Sequence, residues 1–422
     1  MGLFSAKAPA SGRLPVFSFA MLFGVAITIA IGNAGMQSLL PAIGRELGLA
    51  DTMVSAIFAL SAIMMVVMTP FWAVRSDRVG RKPMLLVGLA GFAVSMTIWG
   101  IVIMFGARQI IAPMVTFVLL LFGRGIMGVF MAALAPAQQA YVAERTEADV
   151  RTQAISALAG AFGFGMIFGP LVAPLLVFPV VGLAGPLFIF AAFGLVVLVL
   201  VVRWLPETWP PPGFKPKDPN AAETPKAAPI VFDARVRGFM VACLLVSACQ
   251  VGLTQAVGFL VIDELKVTPA EALGPIGIAM TASAIATVAA QWGLVPLLKM
   301  NPRQLLRWGA VMAALGAAMV AFTPAFWAIV VGFAVFSLGV AFLRPGYSAG
   351  ASLAVGLSDQ ARTAGAIMSI SGGVFILGPV FMALYGVLHA APFVLAAVLM
   401  AALLLYALVD PALKRAGVTA QA

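Results

Sequence analysis

Charge is what this chain has least of. Only 9% of its 422 residues are Asp, Glu, Lys or Arg, against about 25% in an ordinary soluble domain. Acids are the scarcer sign, 15 against 25 bases, which leaves a net charge of +10. His389 is the only histidine, which argues against a histidine metal cluster and against a Ser-His-Asp triad. The two cysteines, Cys243 and Cys249, lie six apart in one apolar run. They fit no zinc spacing and read as packing residues. No Walker loop and no dinucleotide fingerprint is found. The sequence therefore points to no cofactor and no enzyme chemistry, and away from an ATP-driven pump.

Apolar residues make up the balance, at 63% with a mean hydropathy of +1.09. A soluble domain is about 45–50% apolar, so the composition implies a polytopic membrane protein. The runs are too continuous for a transmembrane barrel, whose strands alternate. Twelve of them approach the roughly 20 residues a spanning helix needs. They fall at 16–40, 53–74, 83–106, 111–141, 152–176, 183–203, 238–262, 273–298, 307–324, 327–354, 364–387 and 391–409. The first follows Lys7 and Arg13 as a signal peptide might, but it outruns the roughly 7–15 residues of a signal core and reads as a retained span.

Between the sixth and seventh runs the character changes. Residues 204–237 are rich in proline and charge and read as a linker, with a short surface helix near Phe232–Arg237. The expected architecture is all-α, with six-helix bundles at 1–203 and 238–422. Placing the N-terminus inside puts 20 of the 25 Lys and Arg on the cytoplasmic side, with Arg45, Arg108 and Lys266 opposite and Arg124 and Arg344 inside spans. This positive-inside pattern predicts an inner-membrane protein with both termini cytoplasmic. It also accounts for the +10 without nucleic acid. The halves echo each other: Arg151-Thr152 precedes Gly169-Pro170 by 18 residues, and Arg362-Thr363 precedes Gly378-Pro379 by 16. Pro136 and Pro345 correspond in the fourth and tenth spans. Repeated halves are a common transporter plan.

The stretch WAVRSDRVGRKPM, Trp72 to Met84, concentrates charge between the second and third runs. Positive-inside pressure explains Arg75, Arg78, Arg81 and Lys82. It does not explain Asp77, or Gly80, which suits a tight turn. The run Asp77-Arg78-x-Gly80-Arg81-Lys82 resembles the signature loop of the major facilitator superfamily, with Ala73 and Val74 near where that family carries a glycine. The resemblance extends over the whole chain: twelve spans, two halves and a central linker. It implies a monomeric secondary transporter that works on a small-molecule substrate in a lipid bilayer by alternating access. In the family the acid braces the two halves, so Asp77 is expected at the N-terminus of the eleventh span near Thr363, with Arg145 as an ion-pair partner.

Two further segments resemble family motifs. Arg124 in the fourth span begins Arg124-Gly125-Ile126-Met127-Gly128, similar to a motif associated with proton transfer, without its usual glutamine. An arginine at that depth costs about 2.5–3.5 kcal/mol on insertion scales, so it should face the bundle interior. Gly165-Met166-Ile167-Phe168-Gly169-Pro170 in the fifth span resembles the antiporter motif of the drug/proton exporters, with Ala173-Pro174 replacing the usual later glycines. From physics alone, glycines four apart permit close helix packing and Pro170 bends the helix. Gating is thus expected of Asp77, Arg78, Gly80, Arg81, Lys82, Arg145, Gly165, Gly169 and Pro170.

Polar residues on apolar spans should point inward. Asn33 and Gln37 share a face of the first span, and Gln250, Thr254 and Gln255 cluster on the seventh. Arg344, Tyr347 and Ser348 do so on the tenth. With Arg124 these are the expected substrate contacts. Proton coupling needs a group that changes charge. The candidates are Asp77, Arg124, Asp263 and Glu264, the last two read as an exposed helix end. The reading is a proton-linked exporter of small hydrophobic or amphipathic compounds, most like the tetracycline exporters. Two buried arginines also suit an organic anion such as a carboxylate or siderophore.

Overall fold

The computed structural model describes residues 16–146, 148–207, 230–323 and 325–410. The chain divides into two compact units, Met1–Lys217 and Asp218–Ala422, and the division falls inside the 204–237 stretch. Unit 1 carries α1 (Val16–Glu46), α2 (Asp51–Val79), α3 (Arg81–Ala107), α4 (Pro113–Met131), α5 (Leu134–Arg145), α6 (Ala148–Val172) and α7 (Gly185–Trp204). Unit 2 carries α8 (Arg237–Leu265), α9 (Leu273–Ala289), α10 (Val295–Leu298), α11 (Pro302–Phe322), α12 (Phe326–Leu353), α13 (Leu357–Gly373), α14 (Gly378–Val387) and α15 (Ala391–Val409).

Among the described residues, eleven helices are long and apolar enough to cross a membrane, and Gly160–Leu176 is a shorter apolar helix in the fifth span. At 1.5 Å per residue, about 20 residues cover the 30 Å hydrocarbon layer. Large apolar side chains such as Phe122, Leu175, Trp327 and Val387 lie exposed on the units' surfaces, as lipid-facing positions require. The cores are aromatic: Phe92, Trp99 and Tyr141 in unit 1, and Phe239, Phe333, Phe336 and Phe393 in unit 2. The Trp99 indole N–H donates to the Leu120 carbonyl at 2.9 Å, satisfying its one polar atom.

Three spans are broken where proline predicts it. Pro136 has no N–H to offer the Ala132 carbonyl, and the fourth span is split into α4 and α5 at Ala132–Ala133. Its counterpart Pro345 sits inside an unbroken α12. The eighth span passes through a π-turn, Ala290–Leu294, just before Pro296. The eleventh changes to a 3-10 turn, Val374–Leu377, just before Pro379.

Two expectations need correction. Residues 75–82 are not a loop: α2 runs to Val79, α3 begins at Arg81, and Gly80 alone separates them. Hydropathy ends where hydrocarbon ends, but a helix is free to continue beyond it. Gly80 turns the chain at φ +104°, a region glycine reaches without strain. The surface helix near Phe232–Arg237 reduces to a 3-10 turn, Ile230–Phe232, and a turn leading into α8.

Candidate functional site

The Gly80 turn organises the first cluster. Arg81, 8% exposed, donates from Nε to Glu144 Oε1 at 2.8 Å, and from Nη1 to Asp77 Oδ1 at 2.7 Å and Ser76 Oγ at 2.8 Å. The Lys82 backbone N–H, in the first turn of α3, donates to Glu207 Oε2 at 2.5 Å. An acid at a helix N-terminus satisfies an orphan donor and complements the helix dipole. Arg145 lies 3.6 Å from Glu144 Oε2 and 3.7 Å from Glu207 Oε1. Its guanidinium sits over the Tyr141 ring at 3.7 Å, and the Tyr141 hydroxyl donates to the Pro206 carbonyl at 2.7 Å. So the start of the 204–237 stretch is stitched to the signature turn and to the end of α5. The expected Asp77–Arg145 pair is replaced: Asp77 pairs with Arg81, one helical turn away, and Arg145 is taken by Glu144 and Glu207. Sequence reasoning missed both glutamates. Their partners lie 63 and 125 residues distant, and no local pattern marks them.

The second cluster surrounds Arg124, 5% exposed on α4. Nη2 donates to Asn33 Oδ1 at 2.9 Å, and Nη1 meets the sulfurs of Met127 at 2.8 Å and Met36 at 3.7 Å. The guanidinium lies 4.6 Å from the Phe58 ring centroid. Thioethers and a ring face stabilise a cation through polarisability and quadrupole, without a counter-ion. Nε has no hydrogen-bond acceptor. Among the described residues no carboxylate lies within 4.0 Å of Arg124. The structure brings Asn33 and Arg124 together, a contact the sequence did not predict, and Gln37, one turn on, stays outside it. Nothing in the sequence singles out Met36, Met127 or Phe58.

Beside this cluster α6 presses on α1. A Cβ at Gly165 would collide with the Ala30 Cβ, and one at Gly169 would lie 2.6 Å from the Ile31 carbonyl oxygen and 2.7 Å from the Gly35 nitrogen. The two backbones touch only because these positions lack side chains. Pro170 lies inside the last turn of α6, which ends at Val172.

Unit 2 holds the remaining polar groups. Arg344 Nη2 donates to Gln250 Oε1 at 2.7 Å. Tyr347, 4% exposed, lies in hydrogen-bonding range of Ser247 and Cys243. Both of these reach Ser371 Oγ at 3.4 Å. Cys243 is buried, as its reading as a packing residue has it, and it is also part of a hydroxyl–thiol cluster joining α8, α12 and α13. Ser348 is exposed, and Thr254 and Gln255 are half-buried on α8. Asp263 and Glu264 part company: Glu264 is exposed, while Asp263 Oδ2 accepts from the Tyr385 hydroxyl at 2.5 Å. The reading of both as an exposed helix end holds for Glu264 only. Among the described residues no group of three or more His, Cys, Asp or Glu is placed to hold a metal.

Of the two arginines expected to be buried only Arg124 is; Arg344 is exposed, and the Asn33 and Gln250 amides are half-buried on apolar spans. The family model described as Major Facilitator Superfamily matches residues 22–297, and the chain belongs to that superfamily. It is 28% identical over 195 residues to a tetracycline resistance protein, class B, of Escherichia coli, covering 42% of each chain. It is 31% identical over 167 residues to multidrug resistance protein 1 of Bacillus subtilis, covering 40% of this chain and 39% of that one. The matches thus span about two fifths of these relatives' lengths. Among solved structures, a peptide transporter in complex with sulfate has a TM-score of 0.72 at 15% identity, covering 97% of both chains. An inward-facing, occupied bacterial homolog of the human lysosomal transporter Spinster has a TM-score of 0.67 at 15% identity, covering 96% of both. The structural likenesses show the fold.

Proposed function

We propose that the chain is a proton-linked exporter of small hydrophobic or amphipathic compounds. It works by alternating access in the inner membrane as a monomer, with both termini cytoplasmic. The backbone contact of α6 with α1 at Gly165 and Gly169 carries this reading, because that segment bears the likeness to the antiporter motif. The tetracycline and multidrug resistance relatives support it. The Asn33–Arg124 pair, with Gln37, and the Gln250–Arg344 pair, with Thr254, Gln255, Tyr347 and Ser348, supply the polar contacts to substrate. Asp77, Arg78, Arg81, Lys82 and Arg145 serve the gate around Gly80, and in this reading Asp77 also braces the eleventh span near Thr363. The test is efflux of tetracycline and ethidium from cells overproducing the chain, with and without an uncoupler. The expected result is lowered accumulation that the uncoupler abolishes. Accumulation equal to that of cells without the chain overturns the proposal.

One observation favours a second reading. Among the described residues neither Arg124 nor Arg344 has a carboxylate within 4.0 Å, and a guanidinium binds carboxylates in a two-pronged geometry. An organic anion would supply that counter-charge. Carboxylate uptake or efflux in vesicles that is lost in Arg344→Ala would establish this reading in place of the first.

A further inference from the structure

The end of unit 2 remote from the linker holds a cluster that substrate binding does not use. Asp263 lies in the last turn of α8, Tyr385 near the end of α14, and His389 in the turn that leads into α15. The Tyr385 hydroxyl donates to Asp263 Oδ2 at 2.5 Å, and His389 Nε2 lies 3.8 Å from the same oxygen. The Tyr385 and His389 rings stack with centroids 4.8 Å apart and planes 9° apart. Phe259, one turn back on α8, packs on the other ring contact of Tyr385 at 6.3 Å.

Exposure falls in order along the cluster. The His389 side chain is 56% exposed, that of Asp263 is 16%, and Tyr385 is 1%. Solvent therefore reaches the imidazole first, the carboxylate second and the phenol hardly at all. Imidazole is the side chain that changes charge between pH 5 and 8. The phenol holds the carboxylate in place through a charge-assisted hydrogen bond.

The other ionisable groups at this end are few. Glu264 and Lys266 follow Asp263 on its own element and are exposed. Glu271, before α9, is occupied by the backbone N–H and hydroxyl of Thr268, and these bonds hold its carboxyl below the usual range. The ends of α11, α12 and α15 facing this side, Phe322–Thr323, Ala325–Phe326 and Ala390–Pro392, carry none.

We propose that Asp263, Tyr385 and His389 form a proton-binding site of the transport cycle, which deepens the proton-linked reading above and rests on it. A proton from water binds His389 Nε2. The ring closes by about 1 Å to make an N–H···O bond to Asp263 Oδ2. The net charge of the pair passes from −1 to zero; after the alternating-access change the proton leaves His389 Nε2 for water on the opposite side of the membrane, and the pair returns to −1. A neutral pair is shut away from water at far lower cost than a lone carboxylate. The protonated form also ties α8 to α14 and to the start of α15, so proton occupancy biases the conformation of three spans. No acid at mid-membrane is required.

The test uses the full chain in proteoliposomes with tetracycline and ethidium as probes, across pH 5.5 to 8.5. Wild type is compared with His389→Gln, His389→Phe, Tyr385→Phe and Asp263→Asn. In the two His389 variants proton movement per substrate should fall to background and the pH dependence of net transport should flatten. Counterflow exchange, which needs no net proton movement, should stay within about two-fold, as for an exposed substitution. The His389 variants carry the test if Asp263→Asn fails to fold. A His389 variant with wild-type proton movement and pH profile overturns the proposal. So does one that loses counterflow as fully as coupled transport, which marks a structural role. Wild-type transport with no proton movement overturns this proposal and the proton-linked reading together, whereas a His389 failure alone leaves that reading standing.

Discussion

The two units solve the same turn differently. In unit 1 the second and third spans meet at Gly80, where Arg81 is shared by Asp77 and Glu144, and Glu207 caps α3. In unit 2 the eighth and ninth spans meet at Lys299, which takes the left-handed conformation at φ +44°. There α11 is capped without ionic bonds: Asn301 Oδ1 accepts from the Gln304 N–H at 2.9 Å, Gln304 Oε1 accepts from the Asn301 N–H at 3.1 Å, and Pro302 takes the first helical position. Lys299, Arg303 and Arg307 have no carboxylate within 4.0 Å among the described residues. One turn is held by a knot of ion pairs, and the other by a cap of side-chain amide bonds.

The largest expected effect lies there. Arg81→Ala removes the hydrogen bonds that Glu144 and Asp77 accept from Arg81 and leaves Glu144 with Arg145 at 3.6 Å, at a cost of about 1.5–3 kcal/mol for lost bonds to charged groups. Asn301→Ala removes one cap, at about 1 kcal/mol. Thermal unfolding of the purified chain in detergent measures both, and maleimide reactivity of an engineered Ser76→Cys reports whether the Gly80 turn loosens. Equal losses at the two turns would erase the distinction between knot and cap.

A smaller effect separates the glycine-rich spans. Gly169→Ala drives a methyl into the backbone of α1 and should cost about 1–3 kcal/mol by overpacking. In unit 2 a Cβ at Gly365 or Gly373 meets no atom within 4 Å, so Gly365→Ala should be neutral or gain up to about 1 kcal/mol in helix propensity. Thermal unfolding again decides, and a Gly365→Ala loss matching that of Gly169→Ala would mean that both spans are sterically locked.

These contrasts mark what the sequence carries and what it withholds. Spans are legible because hydrocarbon demands long apolar runs, and the Asp77–Lys82 motif is legible because its charges stand out against them. Asn33 and Arg124 each stand out as polar in greasy surroundings, but their contact is seen only in the structure. Glu144, Glu207 and Tyr385 are not legible. Each meets its partner across 63 to 125 residues, and pairing at that range is a product of packing rather than local pattern. Met36 and Met127 are hidden for another reason, since a methionine that cradles a guanidinium has the same sequence signature as one that fills a core.

The smallest expected effect sharpens the pH argument. Asp233, before α8, accepts from Arg235 Nη2 at 2.6 Å, from Nε at 3.1 Å and from the backbone N–H at 2.9 Å. These bonds, the side-chain ones first, pull its carboxyl from 3.8 to about 2. A depressed carboxylate contributes stability that is present above its unfolded value and lost as pH falls through its folded one. The Asp233 contribution is therefore constant from pH 5.5 to 8.5, and as a solvent-accessible surface pair it is weak. Asp233→Asn should leave the pH profile of transport unchanged across that range, where His389→Gln flattens it. A profile altered alike by both substitutions would mean that pH acts on the protein as a whole rather than through the imidazole beside Asp263.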